Sequence, residues 1–237
     1  YLLSGYRFFI NVSGQQIVSS LAFPEATTRE FEYIAVIFDI DNKTVSAIRN
    51  GEFIHESVTI ESSFTGRGAI ALGMSQVTND QYIDGQQHEL RIWTRARSLG
   101  DIAASANRSL TGNEIGLAGY WPMDEAFGDL AIDKARFRNA IIYADWNVEP
   151  KGISFQFDGI DDFVSFATGN TVNSSNETDF SLEFWFKGDP GQREIVFFSN
   201  GKGDSTQELA SSADTWFVGV NQNEELAYQI VETKLWC

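Results

Sequence analysis

The sequence is poor in the residues that carry most thiol and imidazole chemistry. Among 237 residues there is one cysteine, Cys237, and there are two histidines, His55 and His88. A single thiol excludes a disulfide within the chain, and the lack of Cys/His clusters excludes a structural zinc site. No segment sustains the 3.6-residue apolar period of a long helix. No run approaches the roughly 18 consecutive apolar residues of a membrane-spanning helix, so membrane insertion is not expected. Basic residues are also few: 17 Lys+Arg stand against 33 Asp+Glu, a formal net charge of -16. That excess repels nucleic-acid phosphates and anionic lipid, so neither is an expected partner. It suits a hard cation such as Ca2+, which takes carboxylate and carbonyl oxygens, or it serves only to keep the protein in solution. The chain starts at Tyr1 with neither an initiator Met nor a signal-peptide pattern, as expected of a piece cut from something longer.

What the sequence does have is glycine (20 residues) and aromatic side chains (14%), in short β-type runs separated by turn signals. This predicts an all-β fold with little helix. Glu32 to Ile40 reads as a strand that is apolar on both faces, with Ile34, Val36 and Phe38 on one side and Tyr33, Ala35 and Ile37 on the other, which predicts a central position. Thr44 to Arg49 follows as a strand, and Asn50-Gly51 is a tight-hairpin signal. Leu90 and Ile92 alternate with Glu89, Arg91 and Trp93 as in a strand with one buried face. Ser98, with Asp101 three residues on, predicts an N-capped short helix through Ile102 and Ala103. Ser109 to Ile115 is polar and reads as a junction. Beyond it, Gly116 to Glu125, Phe155 to Phe163, Ser181 to Lys187 and Ile195 to Phe198 read as strands, the last ending at a turn Asn200-Gly201. Five Asn-X-Ser/Thr triplets begin at Asn11, Asn42, Asn107, Asn173 and Asn176, a pattern that is common by chance.

One pattern recurs. Phe8 to Val18 and Phe217 to Ala227 share an apolar run, a polar turn and a second apolar run, 209 residues apart (217 minus 8).

Candidate chemistry is sparse. Glycosidases that work through carboxylates on one strand need them at alternate positions, so that they share a face, and no Glu-X-Asp-X-Glu run occurs. The histidines have no nucleophile partner at recognisable spacing. No enzymatic activity is expected. Asp158, Asp161 and Asp162 lie in a glycine turn between strands, where they can converge on Ca2+ or simply shape and cap the turn. Trp185 with Glu183, and Trp93 with Arg91 and Glu89, are candidates for binding a glycan or protein ligand, because alternation sets them opposite the buried Leu and Phe residues. The competing role for these residues is packing on the sheet face or contact between modules. Trp121, Trp146 and Trp216 are expected to fill core or edge positions.

Two motifs support a family resemblance. Phe157-Asp158-Gly159-Ile160-Asp161-Asp162-Phe163-Val164, with Phe180 to Lys187, resembles the opening of a laminin-G-like, concanavalin A-like jelly roll. Ile83-Asp84-Gly85 through Ile92-Trp93-Thr94-Arg95 to Ile102 resembles the close of one, except that His88 stands where related modules usually carry Asp. The close precedes the opening. The resemblance therefore implies an antiparallel jelly-roll β-sandwich in tandem or phase-shifted modules: residues 1–110 as the C-terminal part of one module and 111–237 as the N-terminal part of the next. Either these are parts of two adjacent modules, or the two parts complete one sandwich as in a circular permutant. Similar repeats occur in large Bacteroidetes-type cell-surface proteins exported by the type IX system, some of them serving gliding or attachment. The resemblance thus implies a secreted, cell-surface adhesion module with Ca2+ as a candidate ligand. Its expected partners are extracellular glycan or protein, neighbouring modules of the same chain and the secretion machinery. A structural spacer in a filament, or an accessory module of a polysaccharide-degrading enzyme, are the alternatives.

Overall fold

The computed structural model describes residues 6–12, 15–23, 30–59, 69–74, 82–136, 138–149, 152–166, 179–188, 194–201 and 216–221. The Asn173 and Asn176 triplets, the stretch from Gln222 to Ala227 and Cys237 lie outside the described residues, as does the side chain of Trp216.

In chain order the first segment supplies β1 (Tyr6–Val12), β2 (Gln15–Phe23), β3 (Glu32–Asp39), β4 (Thr44–Arg49), β5 (Glu52–Thr59), β6 (Ala69–Leu72), β7 (Asp84–Trp93) and the helix α1 (Leu99–Ser105). The second supplies β8 (Leu117–Trp121), β9 (Leu130–Ala131), β10 (Ala140–Tyr143), β11 (Asp145–Glu149), β12 (Gly152–Asp158), β13 (Phe163–Phe166), β14 (Phe180–Gly188), β15 (Glu194–Gly201) and β16 (Trp216–Asn221). The fold is all-β, with α1 the one helix among the described residues.

Among the described residues the strands form two eight-stranded antiparallel sheets. One runs β2-β1-β16-β15-β6-β13-β10-β9; the other runs β11-β12-β7-β14-β3-β4-β5, with β8 also on β7. Strands from before and after residue 110 alternate in both. β14 lies between β7 and β3, and β6 lies between β13 and β15. Within this chain the boundary near residue 110 thus joins two interleaved sets of strands. β7 is shared along its length: Asp84 to Gln87 pair with Asp158 to Phe155, and Leu90 to Trp93 pair with Trp121 to Leu117. Between the two ladders Glu89 takes a positive φ of 58°, a local irregularity that ends one pairing and starts the other.

Local sequence explains the joints. β3 is central as its two apolar faces require. Ile34, Val36 and Phe38 enter the main core between the sheets, while Tyr33, Ala35 and Ile37 pack with Ile48 and Ile102 on the opposite face. Asn50 (φ 50°) and Gly51 (φ 89°) turn β4 into β5, the positive-φ pair of a two-residue hairpin. The Ser98 hydroxyl accepts the Asp101 N–H at 3.1 Å and starts α1. The expected turn at Asn200-Gly201 does not form. Both residues continue β15, paired with Ile70 and Ala69 of β6, whose backbone claims the hydrogen bonds a turn would have used.

Candidate functional site

Four of the side chains expected to face a ligand sit in a closed polar layer. Alternation does place Arg91, Trp93, Glu183 and Trp185 opposite the main core, but α1 and the segment leading from it to β8 cover that face. Arg91 and Glu183 are fully buried and Trp93 is buried. Arg91, Trp93 and Glu183 thus take the competing role, packing on the sheet face, rather than forming an open aromatic platform. Glu183 accepts from Arg97 Nη1 at 2.5 Å and from the Tyr33 hydroxyl. Arg97 also donates to Asp101 O at 2.7 Å, and its guanidinium stacks 4.0 Å from the Trp93 ring centroid. Arg91 pairs with Glu89 at 2.6 Å and donates to the Ser105 and Arg108 carbonyls at 2.9 and 2.7 Å. Glu89 in turn accepts from Tyr120 Oη at 2.8 Å. Burial first, and the Glu183 carboxylate second, push the Tyr33 hydroxyl up, so it stays a donor. Trp185 is half-buried. It stacks on His88 at 6.0 Å, and its Nε1 donates to Ala106 O at 3.3 Å. The layer fastens α1 to β7, β14 and β3.

Asp133 has a comparable structural role in the second segment. Fully buried, it accepts the backbone N–H groups of Tyr120, Ala135 and Arg138 at 2.9, 2.9 and 3.3 Å.

The open chemistry is at one end of the sandwich, where β10 passes into β11 and β12 into β13. Asp158, Asp161 and Asp162 offer carboxylate oxygens within 4.8 Å of one another. Oxygens about 2.3–2.6 Å from a shared Ca2+ would lie within that separation, and these three carboxylates would supply three of the 6–8 oxygens the ion takes. Asp158 Oδ1 also accepts the N–H of Ile160 at 2.8 Å, and Asp162 Oδ2 that of Asp158 at 2.9 Å, so the same carboxylates build the turn. Burial raises the Asp162 pKa, and repulsion from Asp158, Asp145 and Asp161 raises it further, which brings Asp145 of β11 into the cluster.

Adjoining these carboxylates along the chain is a half-exposed aromatic pair that was not legible in the sequence. β10 alternates strictly, with Ala140 and Ile142 buried and Ile141 and Tyr143 exposed. Tyr143 is opposite Phe163 in the β10–β13 ladder, and their rings stack at 4.5 Å with planes 19° apart. Tyr143 is 50% exposed and Ile160, in the acidic turn, 72%. On the other side of β10, Leu130 stands opposite Ile141 and extends the apolar strip. The alternation of Ala140 to Tyr143 was a usable signal, whereas the partnership with Phe163 depends on register.

The described residues form a two-sheet antiparallel β-sandwich. Residues 2–103 match the family model described as the concanavalin A-like lectin/glucanases superfamily, of laminin G type, and the match ends within α1. That segment is thus a stretch of such a module, a class whose laminin-G-like members are usually non-catalytic binding modules. No curated protein matches the chain. Among the described residues no helix is long and apolar enough to cross a membrane.

Proposed function

We propose that this chain is a non-catalytic binding module of an extracellular, multi-module surface protein, and that it takes a neutral glycan on the Tyr143–Phe163 surface. The observation that carries the reading is the half-exposed aromatic stack of Tyr143 and Phe163, which adjoin the acidic residues along the chain, Phe163 directly after Asp162 and Tyr143 two residues before Asp145. A sugar ring presents an apolar C–H face and a rim of hydroxyls. Tyr143 offers the flat apolar surface for the first, and the carboxylates accept hydrogen bonds from the second. The net charge of -16 opposes acidic glycans. Ca2+ held by Asp158, Asp161 and Asp162 would relieve their mutual repulsion and offer open coordination positions to hydroxyl oxygens.

Calorimetric titration with a panel of neutral oligosaccharides, with Ca2+ or with EDTA, tests this. Tyr143→Ala and Phe163→Ala are expected to weaken binding roughly tenfold or more, a loss of about 1.4 kcal/mol, with melting temperatures near the parent value. EDTA is expected to weaken it as well. Binding that survives both substitutions places the ligand elsewhere, and no binding to any neutral glycan leaves a spacer or protein-docking role.

A further inference from the structure

The β1–β2 hairpin and β16 belong to the two copies of the recurring pattern, and the fold sets those copies side by side. β1 pairs with β16 antiparallel and without a shift, from Arg7 opposite Asn221 to Val12 opposite Trp216. In the first copy the apolar run is β1 and the return run is β2, which takes the edge of β1 away from β16. In the second copy the apolar run is β16. One of its edges is held by β15, leaving only the other for a partner, and β1 occupies it. The edge along which the second copy would fold back on its own return run, Glu224 to Ala227 in the sequence, is thus filled by the first copy of the same pattern.

We propose that this edge of β16 is a strand-exchange site, and that its occupant can be the β1–β2 hairpin of a second copy of the chain. Strand addition to a sheet edge is driven mainly by backbone hydrogen bonds, which do not distinguish a hairpin of the same chain from one of a neighbour. Side-chain pattern supplies the selectivity, and the two copies share it. β1 is the first described strand and β16 the last, so exchange joins copies head to tail. Such a heterologous contact need not close, and it extends a row of modules. An edge that must be covered in any case is then covered by the next module.

The test is a register-specific cross-link between chains. In a Cys237→Ser background, Arg7→Cys and Asn221→Cys are made separately and together. The two single variants are mixed, incubated at high concentration in mild urea, returned to buffer and oxidised. Chains carrying Asn107→Cys, an exposed position remote in sequence from both strands, replace Asn221→Cys as the collision control. Exchange is expected to give an Arg7→Cys/Asn221→Cys dimer several-fold above that control on a non-reducing gel. If the double variant links only within its own chain while the mixture stays at control level, β1 belongs to its own β16 and the proposal fails. If neither link forms, the β1–β16 pairing itself is wrong, and the proposal falls with it.

Discussion

Arg97 and Glu183 meet out of solvent, Nη1 to Oε1 at 2.5 Å, although 86 residues separate them in the sequence. The pair ties the start of α1 to β14, and through the Tyr33 hydroxyl it reaches β3. Two charges removed from water contribute little net stability while they remain paired, but losing one leaves the other buried and uncompensated. Glu183→Ala strands the Arg97 guanidinium, while Arg91, 3.9 Å from Glu183, keeps its pair with Glu89. The expected cost is about 3–5 kcal/mol in a urea unfolding curve. Glu183→Gln, whose single amide oxygen still accepts from one of Tyr33 and Arg97, is expected to cost less. A loss from Glu183→Ala below about 1 kcal/mol, the level of an exposed pair, contradicts the buried network.

The same pair shows where sequence reading stops. β3, the Asn50-Gly51 hairpin and the Ser98 cap were legible because each is decided by residues a few positions apart. Alternation also put Glu183 and Arg91 on the correct face. It could not show that α1 would close over that face, because the contacts that do so span 86 residues to Glu183 and 79 to Trp185. Interleaving of the two segments was open for the same reason: β14 enters between β3 and β7 only through pairings of high sequence separation. Asn200-Gly201 carries the same dipeptide as Asn50-Gly51 but runs on as a strand, because β6 and β16 both pair with it there. The acidic turn was legible as a cluster. Its aromatic neighbour was not, since Tyr143 and Phe163 meet across a ladder.

His88, where related modules usually carry Asp, gives the stability a defined pH dependence. Burial first and the Arg91 charge second push its imidazole down to about 4 from 6.5. Above pH 6.5 both folded and unfolded chains hold it neutral, and it adds no pH dependence. As pH falls from 6.5 towards 4 the unfolded chain takes up the proton and the folded one does not, so stability drops. At about 1.4 kcal/mol per pH unit the full drop approaches about 3 kcal/mol, and it levels off below pH 4. Asp162 works in the other direction: its raised pKa means that protonation favours the fold. The comparison is therefore between the parent and His88→Gln, by urea midpoints at pH 7, 6 and 5. The variant is expected to lose less stability over that range, and parallel curves would show that His88 titrates normally.

Gln87 offers a stabilising substitution. It is fully buried on β7, opposite Phe155 of β12 on one side and Phe186 of β14 on the other, and both phenylalanines belong to the main core. Neither its Oε1 nor its Nε2 has a hydrogen-bond partner among the described residues. An amide taken out of water without a partner costs about 1–3 kcal/mol, and an apolar side chain of similar size in the same place avoids that cost. Gln87→Leu is therefore expected to raise stability by about 1–3 kcal/mol, seen as a higher urea midpoint with an unchanged slope. Gln87→Ala separates the two contributions, because it removes the amide but opens a cavity between the phenylalanines, and it is expected to fall below Gln87→Leu. If Gln87→Leu is instead no more stable than the parent, the amide is satisfied in the native protein, and its place between Phe155 and Phe186 is a polar site within the core.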